Sequence, residues 1–348
     1  MRLFVNHLNH LHAGRMEMHR GQMVPCFESS TRLNSVLEAL ARQGFPNCEQ
    51  VDPAATCLDT VLPRIHDAAY LDFLRTAWSR WVEPDASRAA LDLLPDVWPT
   101  RGMRQDVLPD NFAAQVGYYA FDSGSPITAG TWQAAYQGAA CAVAAAQAVA
   151  AGESAAAALT RPPGHHAGAN FYGGYCFLNN AALAAQTLRD QGVERVAILD
   201  VDYHHGNGTQ AIFEARSDVL TLSIHGDPKT EYPFFLGHAD EFGVSAGLGH
   251  NRNWPLPRGS DATAWFDALA QACELVRQWG AQALVVPLGL DAFEGDPISG
   301  FTLSSADFVR VGERLKDLAL PTVLTLEGGY ATAELGTNAA HVLTAFKT

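Results

Sequence analysis

The sequence predicts an α/β fold, a largely parallel sheet covered by helices on both faces. Two observations carry that prediction. From residue 131 onward, apolar runs of strand length alternate with segments of helical periodicity. The polar clusters of the second half also each follow one of those runs: 161–166, 200–205, Ser223 to His225, Asp291, and Glu327 to Tyr330. In open α/β sheets the carboxyl ends of parallel strands line the ligand crevice. No internal repeat or low-complexity linker interrupts the 348 residues, which favours one domain.

Taken in order, residues 2–5 read as a first strand, and Thr31 precedes a helix to about residue 43, stopped by Gly44 and Pro46. A second helix spans 67–82, with Asp67 placed as its N-cap. Its Tyr70, Phe73, Leu74, Ala77, Trp78 and Trp81 form a core stripe at spacings of three and four. Residues 83–112 carry four prolines and little periodicity, the texture of a long functional loop that packs against something, such as another subunit. Helices are expected at 131–151, 179–190, 208–215, 261–279, 304–318 and 332–346. Strands are expected near 156–160, 195–200, 218–224, 283–291 and 321–330, and 226–253 reads as irregular.

Bulk properties narrow the function. A net charge of −14 argues against a nucleic-acid binder. The acidity fits either a solvated surface tuned for solubility or a field that draws in a cationic substrate. Six cysteines without CxxC spacing suggest reduced thiols and a cytoplasmic protein. Neither a signal pattern nor a run of 18 apolar residues points to a membrane.

The chemistry concentrates in 195–210, RVAILDVDYHHGNGTQ. A buried strand has no need of two carboxylates and two imidazoles at its end, and burying them is costly unless they are paired or bind a metal. Where the backbone stays extended, Asp200, Asp202 and His204 share one face. Asp202, His204 and Asp291 offer a divalent ion two carboxylates and one imidazole with a position left open. Two carboxylates cancel the ion's charge, so bound water is acidified less than in an all-histidine site. A separate base and electrophile are then required, and His165, His166 and Tyr330 are the candidates. His10, His12, His19 and His250 read as hydrogen-bonded core or surface residues, and Cys176 as structural.

PPGHH, DVDYHHGNGTQ, GLDAFEGDP and EGGY, in that order, resemble the zinc-dependent histone deacetylase superfamily, and its bacterial acetylpolyamine amidohydrolase branch in particular. VPCFE (24–28), HDAAYLDFL (66–74) and QVGYYAFD (115–122) extend the resemblance over nearly the whole chain. It implies the single-domain, three-layer arginase–deacetylase fold with about eight strands. It also implies that Asp202, His204 and Asp291 bind the catalytic zinc, a position that iron can also fill. His166 would be general base and then general acid, with Asn207 beside it where some relatives carry aspartate. His165 would be an electrostatic neighbour paired with Asp200, and Tyr330 would donate to the substrate carbonyl, swung in by the flexible Gly328–Gly329 pair.

Structural potassium ions are implied at two places. The first takes Asp200, Asp202, His204, Ser223 and Ile224; the second takes Phe213, Arg216, Val219 and Asn253. Tyr175 and Tyr232 match the walls of the substrate tunnel, Gly174 an acceptor for the substrate amide, Ile298 a lining residue and Glu17 an acidic group for a distal ammonium. Ala113 stands where the branch has a loop glutamate, and Asp110 is the candidate replacement. The 83–112 insertion implies a homodimer that narrows the tunnel mouth. The expected activity is deacetylation of small cationic amines such as acetylputrescine, acetylcadaverine or acetylspermidine. A protein lysine deacetylase, a two-manganese ureohydrolase and a non-catalytic metal-bound sensor remain the alternatives.

Overall fold

The computed structural model describes residues 1–347. Strands β1 (Arg2–Val5), β2 (Met16–His19), β3 (Gln22–Pro25) and β4 (Glu49–Gln50) occupy the N-terminal part, with helices α1 (Thr31–Arg42), α2 (Leu58–Ile65) and α3 (Ala68–Val82). After α4 (Phe112–Tyr119) and α5 (Thr131–Ala150) the alternation is regular: β5 (Ala155–Leu159), α6 (Asn180–Asp190), β6 (Val196–Asp200), α7 (Asn207–Phe213) and β7 (Val219–Gly226). Then follow β8 (Asn251–Leu256), α8 (Ala262–Trp279), β9 (Ala283–Leu288), α9 (Asp307–Lys316), β10 (Thr322–Leu326) and α10 (Thr332–Thr344).

Eight strands form one sheet in the order β4-β1-β5-β10-β9-β6-β7-β8, and every pairing in it is parallel. Side chains alternate across it. Ala197 and Leu199 of β6 join the core beneath α1, α8, α9 and α10, whereas Val196 and Ile198 join the core beneath α2, α3, α5 and α6. The run of alanines in β5 leaves little side-chain height, so the alanine-rich α5 packs closely on the sheet. This arrangement directs the β5, β6, β7, β9 and β10 exits to one rim, and the expected three-layer α/β architecture is the observed one.

Several local expectations change. Asp67 occupies the N-cap position of α3, but its side chain accepts no capping bond; Asn179, Asp261 and Asn111 do cap their helices. The stripe on α3 buries Tyr70, Phe73, Leu74 and Ala77, while Trp78 and Trp81 stay partly exposed. The 226–253 segment is not wholly irregular, because β8 begins within it and closes the sheet edge. Four-residue strands with an exposed face and short helices such as α2 and α4 carry too little periodicity to stand out. The β2–β3 hairpin turns through Arg20 and Gly21, both at positive φ (50° and 79°). Among the described residues no helix is long and apolar enough to cross a membrane.

Candidate active site

β6 ends in Asp200, and the chain beyond it supplies ligands at alternate positions. Asp200 Oδ1 accepts from the Asp202 amide at 3.1 Å, and Asp202 Oδ1 accepts from the His204 amide at 2.9 Å, side-chain turns that bend the chain at 202–204 in place of the extended course expected there. Asp291, three residues beyond β9, accepts from the Tyr203 amide through Oδ1 at 2.8 Å. Its Oδ2 lies 2.8 Å from His204 Nδ1, which is also 3.4 Å from Asp202 Oδ1. The ligand atoms of Asp202, His204 and Asp291 all fall within 4.8 Å of one another, and the three residues are buried. A tetrahedral ion with bonds of about 2.0–2.2 Å needs donors roughly 3.4 Å apart. The donor set therefore fits a small divalent cation, and its two carboxylates balance the charge. A second group, His165, Cys176 and Glu327, also lies within that distance. Its donors are engaged elsewhere: His165 Nδ1 meets Asp200, and Glu327 accepts from the Gly164 and His165 amides and the Thr325 hydroxyl.

Bulk at Gly328 would destroy the site, because a Cβ there would sit 2.6 Å from both Asp202 Oδ2 and Asp291 Oδ2. Close approach, rather than looseness, explains this glycine, and the expected swing of Gly328–Gly329 is not what the contacts favour. Gly328 donates to Asp202 Oδ2 at 2.8 Å, Gly329 accepts from Arg32 Nε at 2.6 Å, and Tyr330 donates from its amide to Asp296 Oδ2 at 2.7 Å. Arg32 also stands 4.8 Å over the Tyr330 ring. The tyrosine is held, and burial keeps its phenol protonated by raising it well above its ordinary range.

The two histidines differ in charge. His165 Nδ1 lies 2.9 Å from Asp200 Oδ2. Burial opposes its protonation, but Asp202 and Asp200 outweigh burial and raise it to about 10. His166 Nδ1 lies 2.7 Å from Asn207 Oδ1. Burial, followed by the repulsion of His165 and His204, lowers His166 well below the usual imidazole value. One imidazolium and one neutral imidazole, with ring centroids 4.0 Å apart and planes tilted by 46°, thus face the ligand group.

Above them opens a cavity of about 430 Å³ lined by Tyr175, Tyr232, Phe121, Phe234, Ile298, Gly174 and Glu17, with His166, His204 and Tyr330 at its inner end. The Tyr232 ring lies 5.2 Å from His166, and the Tyr175 ring 5.5 Å from Tyr330. Gly174, at φ 54°, lets the His166 ring approach where a Cβ would be 2.2 Å from Cδ2. Tyr175 itself sits at φ 68°, a strained backbone of the kind that collects at functional sites. Glu17 Oε1 accepts from the Tyr175 hydroxyl at 2.8 Å, and burial raises its carboxyl to about 7.

The potassium positions divide. Asp200 pairs in register with Ser223, which brings Asp200, Asp202, His204, Ser223 and Ile224 to neighbouring strand ends. Phe213, Arg216 and Val219 lie together between α7 and β7. Asn253 does not join them, because the register sets it opposite Ser223, four residues and roughly 13 Å along β7 from Val219. Ala113 and Asp110 are exposed and lie outside the cavity lining.

Other residues were not legible in sequence. His19 and Arg20 line the cavity from the hairpin tip, and Asp122 lines it from the turn after α4. Beneath Tyr330, Glu28 meets Arg32 Nη1 at 3.0 Å and Arg161 Nε at 2.8 Å, an ionic cluster buried from solvent. Their one sequence signal is an acidic or basic residue inside a segment of otherwise core character.

The rim of carboxylates, paired histidines and phenol on an eight-stranded parallel sheet defines a metal-dependent deacetylase-type site. The chain belongs to the histone deacetylase family: the histone deacetylase domain matches residues 26–346. Within that family it is similar to proteins named acetylpolyamine amidohydrolase. Acetylpolyamine amidohydrolases 1 and 2 of Pseudomonas aeruginosa are 49% and 48% identical to it, each over 97% of this chain and 96% of the relative. The acetylpolyamine amidohydrolase of Mycoplana ramosa is 43% identical over 99% of this chain and 98% of its own. The crystal structure of the acetylpolyamine aminohydrolase from Burkholderia pseudomallei superposes with a TM-score of 0.93, at 38% identity, covering 99% of this chain and 98% of that one.

Proposed function

We propose that this protein is a zinc-dependent amidohydrolase that removes the acetyl group from N-acetylated diamines and polyamines, giving acetate and the free amine. One observation carries the reading: a metal-ligand triad, a charged and a neutral imidazole, and a fixed phenol meet at the inner end of one aromatic cavity. A bound zinc, with iron as a substitute, would supply Lewis-acid polarisation of the acetyl carbonyl and an acidified water.

The chain supplies the rest. His166 is neutral, and with its Nδ1 proton directed at Asn207 Oδ1 it keeps Nε2 free to take a proton from the attacking water. Tyr330 donates its hydroxyl to the carbonyl oxygen as negative charge develops there. The carbon–nitrogen bond then breaks as His166 returns the proton to the leaving nitrogen. The Gly174 carbonyl accepts the substrate amide proton, Tyr175 and Tyr232 flank the methylene chain, and Glu17 faces the distal ammonium.

Structural potassium ions at the Asp200–Ile224 and Phe213–Val219 positions belong to the same reading. So does a homodimer formed through residues 83–112, supported by the exposed Leu91, Val97, Met103, Val107 and Leu108. The chain acts as one catalytic unit, and its six unpaired cysteines suit the cytoplasm. A panel of acetylputrescine, acetylcadaverine and acetylspermidine beside an acetyl-lysine peptide tests the function. The small amines should turn over fastest, and a strong preference for the peptide would overturn the assignment.

A further inference from the structure

We propose that Asp122 determines the tunnel's specificity for a cationic substrate: it is a carboxylate fixed by four neutral donors, in no ion pair with a basic side chain among the described residues, set behind the aromatic wall. The inference rests on the amidohydrolase reading and adds a residue that this reading does not use.

The geometry is that of a charge held in place. Asp122 Oδ2 accepts from the Gly174 amide at 2.8 Å and from the Tyr232 hydroxyl at 2.6 Å. Its Oδ1 accepts from the Gly124 amide at 3.1 Å and the Ser125 hydroxyl at 3.3 Å. A carboxylate offers about four acceptor positions, so Asp122 is filled and has none left for a substrate nitrogen. It therefore works through its charge and through the walls that it ties together. Gly174 and Tyr232, about 60 residues apart in sequence, both line the cavity, and both donate to this one oxygen.

The other carboxylates of the cavity differ. Glu231 is met by Arg258 Nη1 at 2.9 Å, which cancels its charge. Glu17 shares the Tyr175 hydroxyl, and burial raises its carboxyl to about 7, so it is only part-ionised near neutrality. Burial also raises Asp122, but its four donors oppose that shift, and among the described residues no basic side chain forms an ion pair with it. Of the three, Asp122 has the most donors to its charge and no arginine to neutralise it. In a low-dielectric pocket such a charge is felt several ångströms away. It favours an alkyl chain that ends in ammonium over one of equal length that ends in methyl.

The test is a ratio. N-acetylputrescine and N-butylacetamide present the same acetyl group and four-carbon chain and differ in the terminal charge. A misplaced wall lowers kcat/KM for both, whereas a lost charge lowers it for the first alone. Asp122→Asn should reduce the cationic-to-neutral ratio about tenfold, equivalent to about 1.4 kcal/mol. Tyr232→Phe, which removes a bond and keeps the charge, should leave the ratio within about twofold. Should Asp122→Asn fail to fold, Ser123→Lys keeps all four bonds and places a cation beside Asp122 in the lining, and the ratio should fall at least threefold. An unchanged ratio in both charge variants, or equal losses on both substrates, reduces Asp122 to a brace and overturns the proposal. A wild type that cleaves both amides alike sinks this inference and leaves the amidohydrolase standing. A wild type that cleaves neither sinks both.

Discussion

The rim of the sheet and the surface formed by the β2–β3 hairpin with residues 83–112 contrast in every physical respect. At the rim each functional group is buried and tied down: Asp202 by the Gly328 amide, Asp291 by the Tyr203 amide, Tyr330 by Asp296 and Arg32. On the other surface Met16, Met18, Met23, Val97, Met103 and Val107 are exposed. Between residues 93 and 111 regular structure is limited to the Leu93–Ile127 bridge. The difference teaches where each task resides. Bond breaking needs preorganised groups, and the ends of parallel strands supply them. Selection and the proposed assembly need surface, and the irregular segments supply that.

The largest expected effect lies at the rim. Tyr330→Phe should lower kcat by about 10²–10³-fold while metal content is retained, as when one oxyanion donor is lost. Undiminished turnover would break the contrast at once. Next comes the ionic support beneath it. Arg161→Met leaves Glu28 with fewer partners in a buried site and should cost about 3–5 kcal/mol by chemical denaturation. A loss under 1 kcal/mol would show that the cluster is solvated.

Glu17, where the two regions meet, gives a pH test. Its folded carboxyl lies near 7, above the ordinary 4.5, so the folded state holds this proton more tightly than the unfolded one. The cost to stability is absent below 4.5, grows between 4.5 and 7, and is complete above 7. Glu17→Gln should therefore stabilise the protein at pH 8 by about 1–3 kcal/mol and leave it unchanged at pH 4. A gain of equal size at both pH values would refute the shift. The smallest effect belongs to the loop: Val97→Asp with Val107→Asp should dissociate the proposed dimer in sedimentation while shifting Tm by only a few degrees. A dimer that survives both changes places the subunit contact elsewhere.

Much of the rim was legible because its chemistry contradicts its surroundings. Asp202 and His204 follow an apolar strand, and buried charge of that kind has few explanations besides a metal. Alternating strands and helices made the layers equally plain. What stayed hidden depends on contacts between distant segments. Nothing in AFDSGSP marks Asp122 as a shared acceptor for Gly174 and Tyr232, about 50 and 110 residues away. Arg20 and His19 reach the cavity through a hairpin whose four-residue strands are too short to show a period. Asn253 was misplaced for a related reason: register along β7 decides its neighbours, and register is not written in local sequence.

The most direct test of the central claim is a metal titration. Protein stripped by chelation and returned to measured equivalents of Zn²⁺ should regain N-acetylputrescine hydrolysis linearly and plateau at one catalytic equivalent per chain. Asp291→Asn should regain almost none. Full activity in the stripped protein, or a plateau that requires two equivalents, would contradict a single ion held by Asp202, His204 and Asp291.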